Sequence, residues 1–146
     1  MIAVDTNILV HAHRRDSPFH EPAEGCVRGI AEGAAPWAIP FHCLVEVYGI
    51  VTHPAIWKTA STPAQAVDQI RAWLESPSLV VLADDPAGAD SLLDLLVAGR
   101  VSGPKVHDAR IAALCLEHGV KELWTIDRDF SRFPRLATRN PLDVSA

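Results

Sequence analysis

The feature that most constrains this chain is a set of short, continuous apolar runs, each closed by a turn residue or an acid. Ile2-Ala3-Val4 ends at Asp5-Thr6-Asn7, and Trp37-Ala38-Ile39-Pro40 leads into a helical stretch. Leu79-Val80-Val81-Leu82 lies between Ser76-Pro77 and Asp84-Asp85-Pro86, and Leu123-Trp124-Thr125-Ile126 runs into Asp127. Runs of strand length without polar alternation belong to strands covered on both faces. The stretches between them carry helical signals. Asp5-Thr6-Asn7 supplies capping residues for a first helix. Further helices are predicted over 19–33, with Glu21 and Glu24 in its first turn, over 41–52, closed by His53-Pro54, and over 64–75, with Pro63 at its start. Ala66, Val67, Ile70, Trp73 and Leu74 form the apolar stripe of that last helix. Helices near 86–99 and 105–118 follow, the second ended by Gly119, and a short strand is predicted near 136–138. Strands alternating with helices predict an α/β fold with a mainly parallel sheet between helical layers.

The chain has 146 residues, of which 49% are hydrophobic. That is enough for one domain, residues 1–146, with an ordinary core. The N-terminal sequence reads as lacking a secretory signal, and no stretch reaches the ~20 apolar residues of a membrane helix. Cys26, Cys43 and Cys115 are odd in number and widely spaced, which predicts buried free thiols in a reducing cytoplasm. His11 and His13 have no partners at zinc-site spacing.

A net charge of −5 argues at first against a nucleic-acid partner. The charge is unevenly spread, however. Residues 1–99 carry 5 basic and 12 acidic side chains, whereas residues 100–146 carry 8 basic and 6 acidic ones. Arg128, Arg132, Arg135 and Arg139 form a candidate phosphate-contacting patch, the alternative being a solvated surface.

The acids carry most of the chemical information. In an open parallel sheet, sites form beyond the carboxyl ends of the strands. Asp5 and Asp127 each end a strand, and they converge if those strands are central neighbours. Glu46 is the only formally charged residue between Gly33 and Trp57 and has apolar neighbours on nearly every side. A carboxylate in such surroundings is costly unless paired or bound to a metal. Asp108 sits where a helix begins, a position that the helix dipole alone would favour. Together, four such carboxylates repel one another unless a cation compensates, and all-oxygen donors suit Mg²⁺ or Mn²⁺.

Val4-Asp5-Thr6-Asn7, Glu46 on the helix after the second strand, and His107-Asp108-Ala109-Arg110-Ile111-Ala112-Ala113 resemble the PIN domain. More closely they resemble the VapC toxins of bacterial toxin–antitoxin pairs. The most specific piece is Thr125-Ile126-Asp127-Arg128-Asp129-Phe130, followed by Phe133-Pro134 and Asn140-Pro141-Leu142. The resemblance covers nearly the whole chain. It implies a three-layer α/β/α sandwich with Asp5, Glu46, Asp108 and Asp127 as the four catalytic carboxylates. Asp5 and Asp108 would be the direct ligands of Mg²⁺ or Mn²⁺, with Glu46 and Asp127 completing the cluster directly or through waters, and Asp129 a further candidate. Asn7 and Thr125 match polar positions that orient carboxylates and water. The implied activity is endoribonuclease cleavage, often of tRNA or rRNA, by a metal-activated water. The implied partners are a small VapB-like antitoxin and a second copy of the chain.

Two other readings compete. A phosphoacceptor receiver domain is also α/β with acids at strand ends, but it wants a Lys after a late strand, and none follows Thr125. A PIN-like binding module without activity would not need all four acids. Asp84-Asp85-Pro86 reads as a helix cap, and Asp90 and Asp94 as a helix's polar face. Arg14-Arg15 reads as solvated. Trp37, Tyr48, Ile56, Trp57 and Trp73 read as core packing, the alternative being a groove for an antitoxin helix or a dimer face.

Overall fold

In the computed structural model, which describes residues 1–143, five parallel strands form one sheet in the order β3-β2-β1-β4-β5. The strands are β1 (Ile2–Val4), β2 (Trp37–Pro40), β3 (Leu79–Leu82), β4 (Glu122–Trp124) and β5 (Thr138–Arg139). The helices are α1 (Thr6–His13), α2 (His20–Glu32), α3 (Phe41–Val51), α4 (Pro63–Leu74), α5 (Ala89–Ala98) and α6 (Val106–Glu117). None of the described helices is long and apolar enough to cross a membrane.

The strand order contains a reversal. The chain moves outward from β1 to β2 and β3, then returns across the sheet to β4 on the other side of β1. Right-handed crossovers therefore put α1–α4 on one face and α5 and α6 on the other. Helix contacts fall into the same two groups: α1 against α2 and α3, α3 against α4, and α5 against α6. The expected three-layer α/β/α sandwich follows. The reversal between β1 and β4 also opens a crevice at their carboxyl ends.

The central strands explain the continuous apolar runs. Every residue of β2 is buried, as are Ala3, Val4, Leu123 and Trp124. The core around them includes Ile8, Leu9, Trp37, Ile39, Val47, Phe130 and Phe133. Of the residues read as core packing, Trp37 and Trp73 are buried, Tyr48 and Trp57 pack partly buried against the core, and Ile56 is exposed, which corrects that reading for Ile56. At the sheet margin the reading was too simple. β3 is an edge strand, and its Val80 and Val81 are 40% and 38% exposed. An apolar run alone does not reveal which strand lacks a second neighbour.

Several local boundaries also move. The stretch after β3 is a short 3₁₀ turn, Pro86–Gly88, followed by the separate helix α5. Asp85 caps that turn through Ala87 N at 2.9 Å, whereas Asp84 pairs with Arg110, whose Nε lies 2.7 Å from its Oδ2. The cap reading thus holds for Asp85 and is corrected for Asp84. β4 stops at Trp124 and β5 begins at Thr138, because the register pairs Trp124 with Arg139. Arg14, expected in solvent, is buried: Nε and Nη2 hold Asp16, Nη1 reaches Ser61 Oγ at 3.2 Å, and the guanidinium stacks over Trp57. A guanidinium has five donors and no acceptor, so the chain folds a turn around it to satisfy them. Arg15 is exposed, as expected.

Candidate active site

Asp5 leaves the end of β1 and is 5% exposed. Its backbone N–H continues the sheet by donating to Trp124 O at 2.9 Å. Four donors converge on its carboxylate. Thr6 N (2.8 Å) and Cys43 Sγ (3.7 Å) donate to Oδ1, while Thr125 Oγ1 (2.7 Å) and Asn7 Nδ2 (3.2 Å) donate to Oδ2. Burial pushes the Asp5 pKa up to about 6 despite these donors, and the charges of Glu46 and Asp108 push the same way.

Asn7 and Thr125 join the two strand ends. Asn7 Nδ2 also donates to Thr125 Oγ1 at 3.1 Å, and Asn7 Oδ1 accepts from Ile126 N at 3.2 Å. Thr125 Oγ1 accepts from Asp127 N at 3.0 Å. Asp127 Oδ1 in turn caps the 3₁₀ turn Arg128–Arg132 by accepting from Asp129 N at 2.8 Å. The polar residues after β1 and β4 are thus one connected network whose groups orient the carboxylates.

Asp108 enters from the first turn of α6. It meets Asp127 and Asp129 so that one oxygen from each lies within 4.8 Å of the others. Among the described residues this is the one such group of His, Cys, Asp and Glu side chains. The donor set is all carboxylate oxygen and partly exposed, which fits a hard divalent cation. Burial, then the charge of Asp127, raises the Asp108 pKa above the usual carboxylate range, while Lys105 opposes the shift. Lys105 ends the 3₁₀ turn before α6; its ammonium pairs with Asp129 and lies 3.7 Å from Asp108 Oδ2.

Asp5 and Glu46 stand outside the close trio. Glu46 lies one α3 turn beyond His42, whose Nε2 is 3.4 Å from Glu46 Oε2 without a hydrogen-bonding geometry. The Glu46 side chain is 38% exposed, so the burial argument made from its apolar neighbours is corrected. Phe41 and Val45 on the same helix also face outward, and the apolar side chains do not close around Glu46. What connects Glu46 to the site is electrostatic coupling to Asp5 and Asp108.

Sequence reasoning missed Lys105, Cys43 and His42. Lys105 precedes Asp108 by three residues in the chain, a spacing that could have revealed it. Cys43 touches Asp5 only through the tertiary fold. His42 stacks on His107 at 5.3 Å and bonds Arg110 through Nδ1 at 3.1 Å. Asp84, just after β3, is paired with Arg110 and lies apart from the acid trio. Arg128, Arg132, Arg135 and Arg139 are all exposed. Arg132 also donates through Nη1 to Gly99 O and Arg100 O, in the turn just after α5, at 3.3 and 3.2 Å.

The PIN domain family profile matches residues 2–136. The chain is 31% identical over 143 residues to VapC ribonuclease Mb2897 of Mycobacterium bovis, covering 98% of this chain and 97% of that protein. It is 28% identical over 137 residues to ribonuclease VapC48 of Mycobacterium tuberculosis, covering 94% of each. Among solved structures it is similar to M. tuberculosis VapC20, a toxin that cleaves the sarcin–ricin loop. The TM-score there is 0.67 at 19% identity, over 90% of this chain and 93% of that one. It is also similar to a chain of the Rickettsia felis VapBC2 complex bound to a promoter DNA fragment. That TM-score is 0.68 at 19% identity, over 95% of this chain and 98% of the other.

Proposed function

The chain belongs to the PIN domain family, and from that premise we propose that it is a divalent-metal-dependent endoribonuclease acting as the toxin of a toxin–antitoxin pair. The observation that carries this reading is the convergence of Asp108, Asp127 and Asp129 at the crevice beside β1 and β4. Three carboxylates from two separate segments repel one another at a partly exposed edge, and a shared divalent cation offsets that repulsion beyond what the single Lys105 ammonium supplies.

In this reading Asp108, Asp127 and Asp129 hold Mg²⁺ or Mn²⁺, and Asp5 and Glu46 complete the charge around it. A divalent cation there supplies Lewis acidity toward a phosphodiester oxygen and lowers the pKa of a water. Glu46, half-exposed at the rim, takes up the proton of the attacking water. Asn7 and Thr125 hold Asp5 and the Asp127 turn in register, so the acids keep their positions when the substrate enters. Arg128, Arg135 and Arg139, together with what Arg132 has to spare, contact RNA phosphates. This distribution explains how an acidic chain binds an acidic polymer.

The partner is a small VapB-like antitoxin, and the chain pairs with a second copy of itself. Several structural neighbours come from toxin–antitoxin assemblies, and Phe41, Val45, Val80 and Val97 leave apolar surface exposed for such contacts. Residues 1–146 form one functional unit. The free cysteines fit a cytoplasmic setting.

The test is cleavage of a mixed RNA substrate by the purified protein with Mg²⁺ or Mn²⁺, with EDTA, and with Asp108→Asn. Cleavage that needs the cation and Asp108 supports the reading. Cleavage that survives both EDTA and the substitution overturns it.

A further inference from the structure

Among the described residues, Lys105 is the basic side chain that forms ion pairs with the trio of acids, Arg132 acting on Asp129 only electrostatically. Its ammonium pairs with Asp129 Oδ2 and lies 3.7 Å from Asp108 Oδ2, so it bridges two of the three carboxylates whose oxygens lie within 4.8 Å of one another. The backbone makes this reach systematic. Gly103 adopts a positive φ of 60°, Pro104 starts the 3₁₀ turn, and Lys105 ends that turn directly before the first residue of α6. Lys105 and Asp108 are therefore held three residues apart on one helical face. The Lys105 side chain is 45% exposed, so it can leave this position without unfolding anything.

A carboxylate oxygen engaged by an ammonium is a poorer ligand for a second cation, and a divalent ion close to that ammonium is repelled by it. We propose that Lys105 is a built-in counter-cation that competes with the divalent ion for Asp129 and Asp108, setting the metal level at which the site becomes loaded. This inference rests on the metal reading of the trio. Once the ion is bound, the displaced ammonium swings to the open rim of the crevice. There it meets a phosphate of the RNA strand as a mobile point charge, a task suited to a flexible lysine stem. Lys105 thus keeps the acids together without metal and hands its charge to the substrate with metal.

The experiment is Mn²⁺ binding without RNA, by calorimetry or by loss of the free-ion EPR signal, on wild type, Lys105→Met, Lys105→Gln and Asp108→Asn. Removing an exposed competing charge should tighten Mn²⁺ binding by about threefold to tenfold in both lysine variants. Their melting temperatures in EDTA should fall, because the acids lose their counter-charge. Tighter metal binding in a less stable protein is a combination that a merely structural lysine would not give. RNA affinity of the Mn²⁺-loaded lysine variants should fall in the same experiment. Binding by wild type that is lost in Asp108→Asn but unchanged or weaker in the lysine variants overturns this inference alone. Absence of Mn²⁺ binding by wild type overturns both this inference and the metal reading.

Discussion

Thr125 Oγ1 donates a 2.7 Å hydrogen bond to Asp5 Oδ2, across two strands that are neighbours in space and 120 positions apart in the chain. The same hydroxyl accepts from Asn7 Nδ2 and from Asp127 N. It is the point where the β1 end and the β4 end are locked together. Replacing Thr125 by Val keeps the shape and removes the hydroxyl. The expected cost is about 1–3 kcal/mol of stability, since buried donors and a carboxylate are left without a partner. Cleavage should fall as well, and Thr125→Ser should restore much of both. Urea unfolding and a single-turnover RNA assay measure the two effects.

Asp5 makes stability depend on pH. Its pKa is raised from 3.8 to about 6 in the folded protein, mainly by burial. Between these values the folded state holds a proton that the unfolded chain has released. Stability contributed by this group is therefore fully present below about pH 4, falls as pH rises to about 6, and then levels off, a total of ~3 kcal/mol. Asp5→Asn should flatten that slope. Unfolding free energies in EDTA at several pH values check it, and an unchanged slope in the variant would sink the assignment.

Metal removal should act through the acid trio. Asp108→Asn and Asp127→Asn are each expected to lower RNA cleavage by at least ~100-fold while the protein stays folded. Mn²⁺ should raise the melting temperature of the wild type and have a smaller effect on either variant, because an ion that binds only the folded state stabilises it. Circular dichroism, thermal melts and the cleavage assay read these outcomes together.

The arginine patch predicts a salt signature. Each of Arg128→Ala, Arg135→Ala and Arg139→Ala should weaken RNA binding about equally across sequences and reduce the salt slope by about one phosphate contact. Arg132→Ala should also lower stability, since this side chain holds the turn after α5 through Gly99 O and Arg100 O. Filter binding at several salt concentrations, with Ca²⁺ in place of the catalytic ion, gives the slope.

Arg14 offers a control away from the site. Arg14→Ala removes a buried guanidinium that ties Asp16, Ser61 and Thr59 O together and stacks on Trp57. A loss of about 2–4 kcal/mol is expected, with Mn²⁺ affinity unchanged. Equal losses of stability and metal binding would show that this cluster and the acid trio are coupled.

The layered α/β architecture and the strand-end acids were legible in the sequence because both rest on local rules. Continuous apolar runs mark buried strands, helical periodicity marks their covers, and a chain that leaves a parallel strand places its next polar residue at the crevice. Asp5 and Asp127 could be picked out for that reason, without any knowledge of strand order, whereas Asn7 and Thr125 were marked only by the resemblance to the PIN domain. The order itself was decided by tertiary packing. It made β3 an edge strand with exposed valines, and it set β1 against β4 so that Thr125 faces Asp5. Glu46, which looked enclosed by its apolar neighbours, faces the rim because side chains adjacent in sequence diverge around a helix and only one face of α3 packs inward. Lys105 shows the same division. Its sequence position put it near Asp108, but only the fold brought Asp129 to its ammonium from a segment 24 residues away. Contacts of that range depend on how the layers close, and a single chain's local pattern carries no record of it.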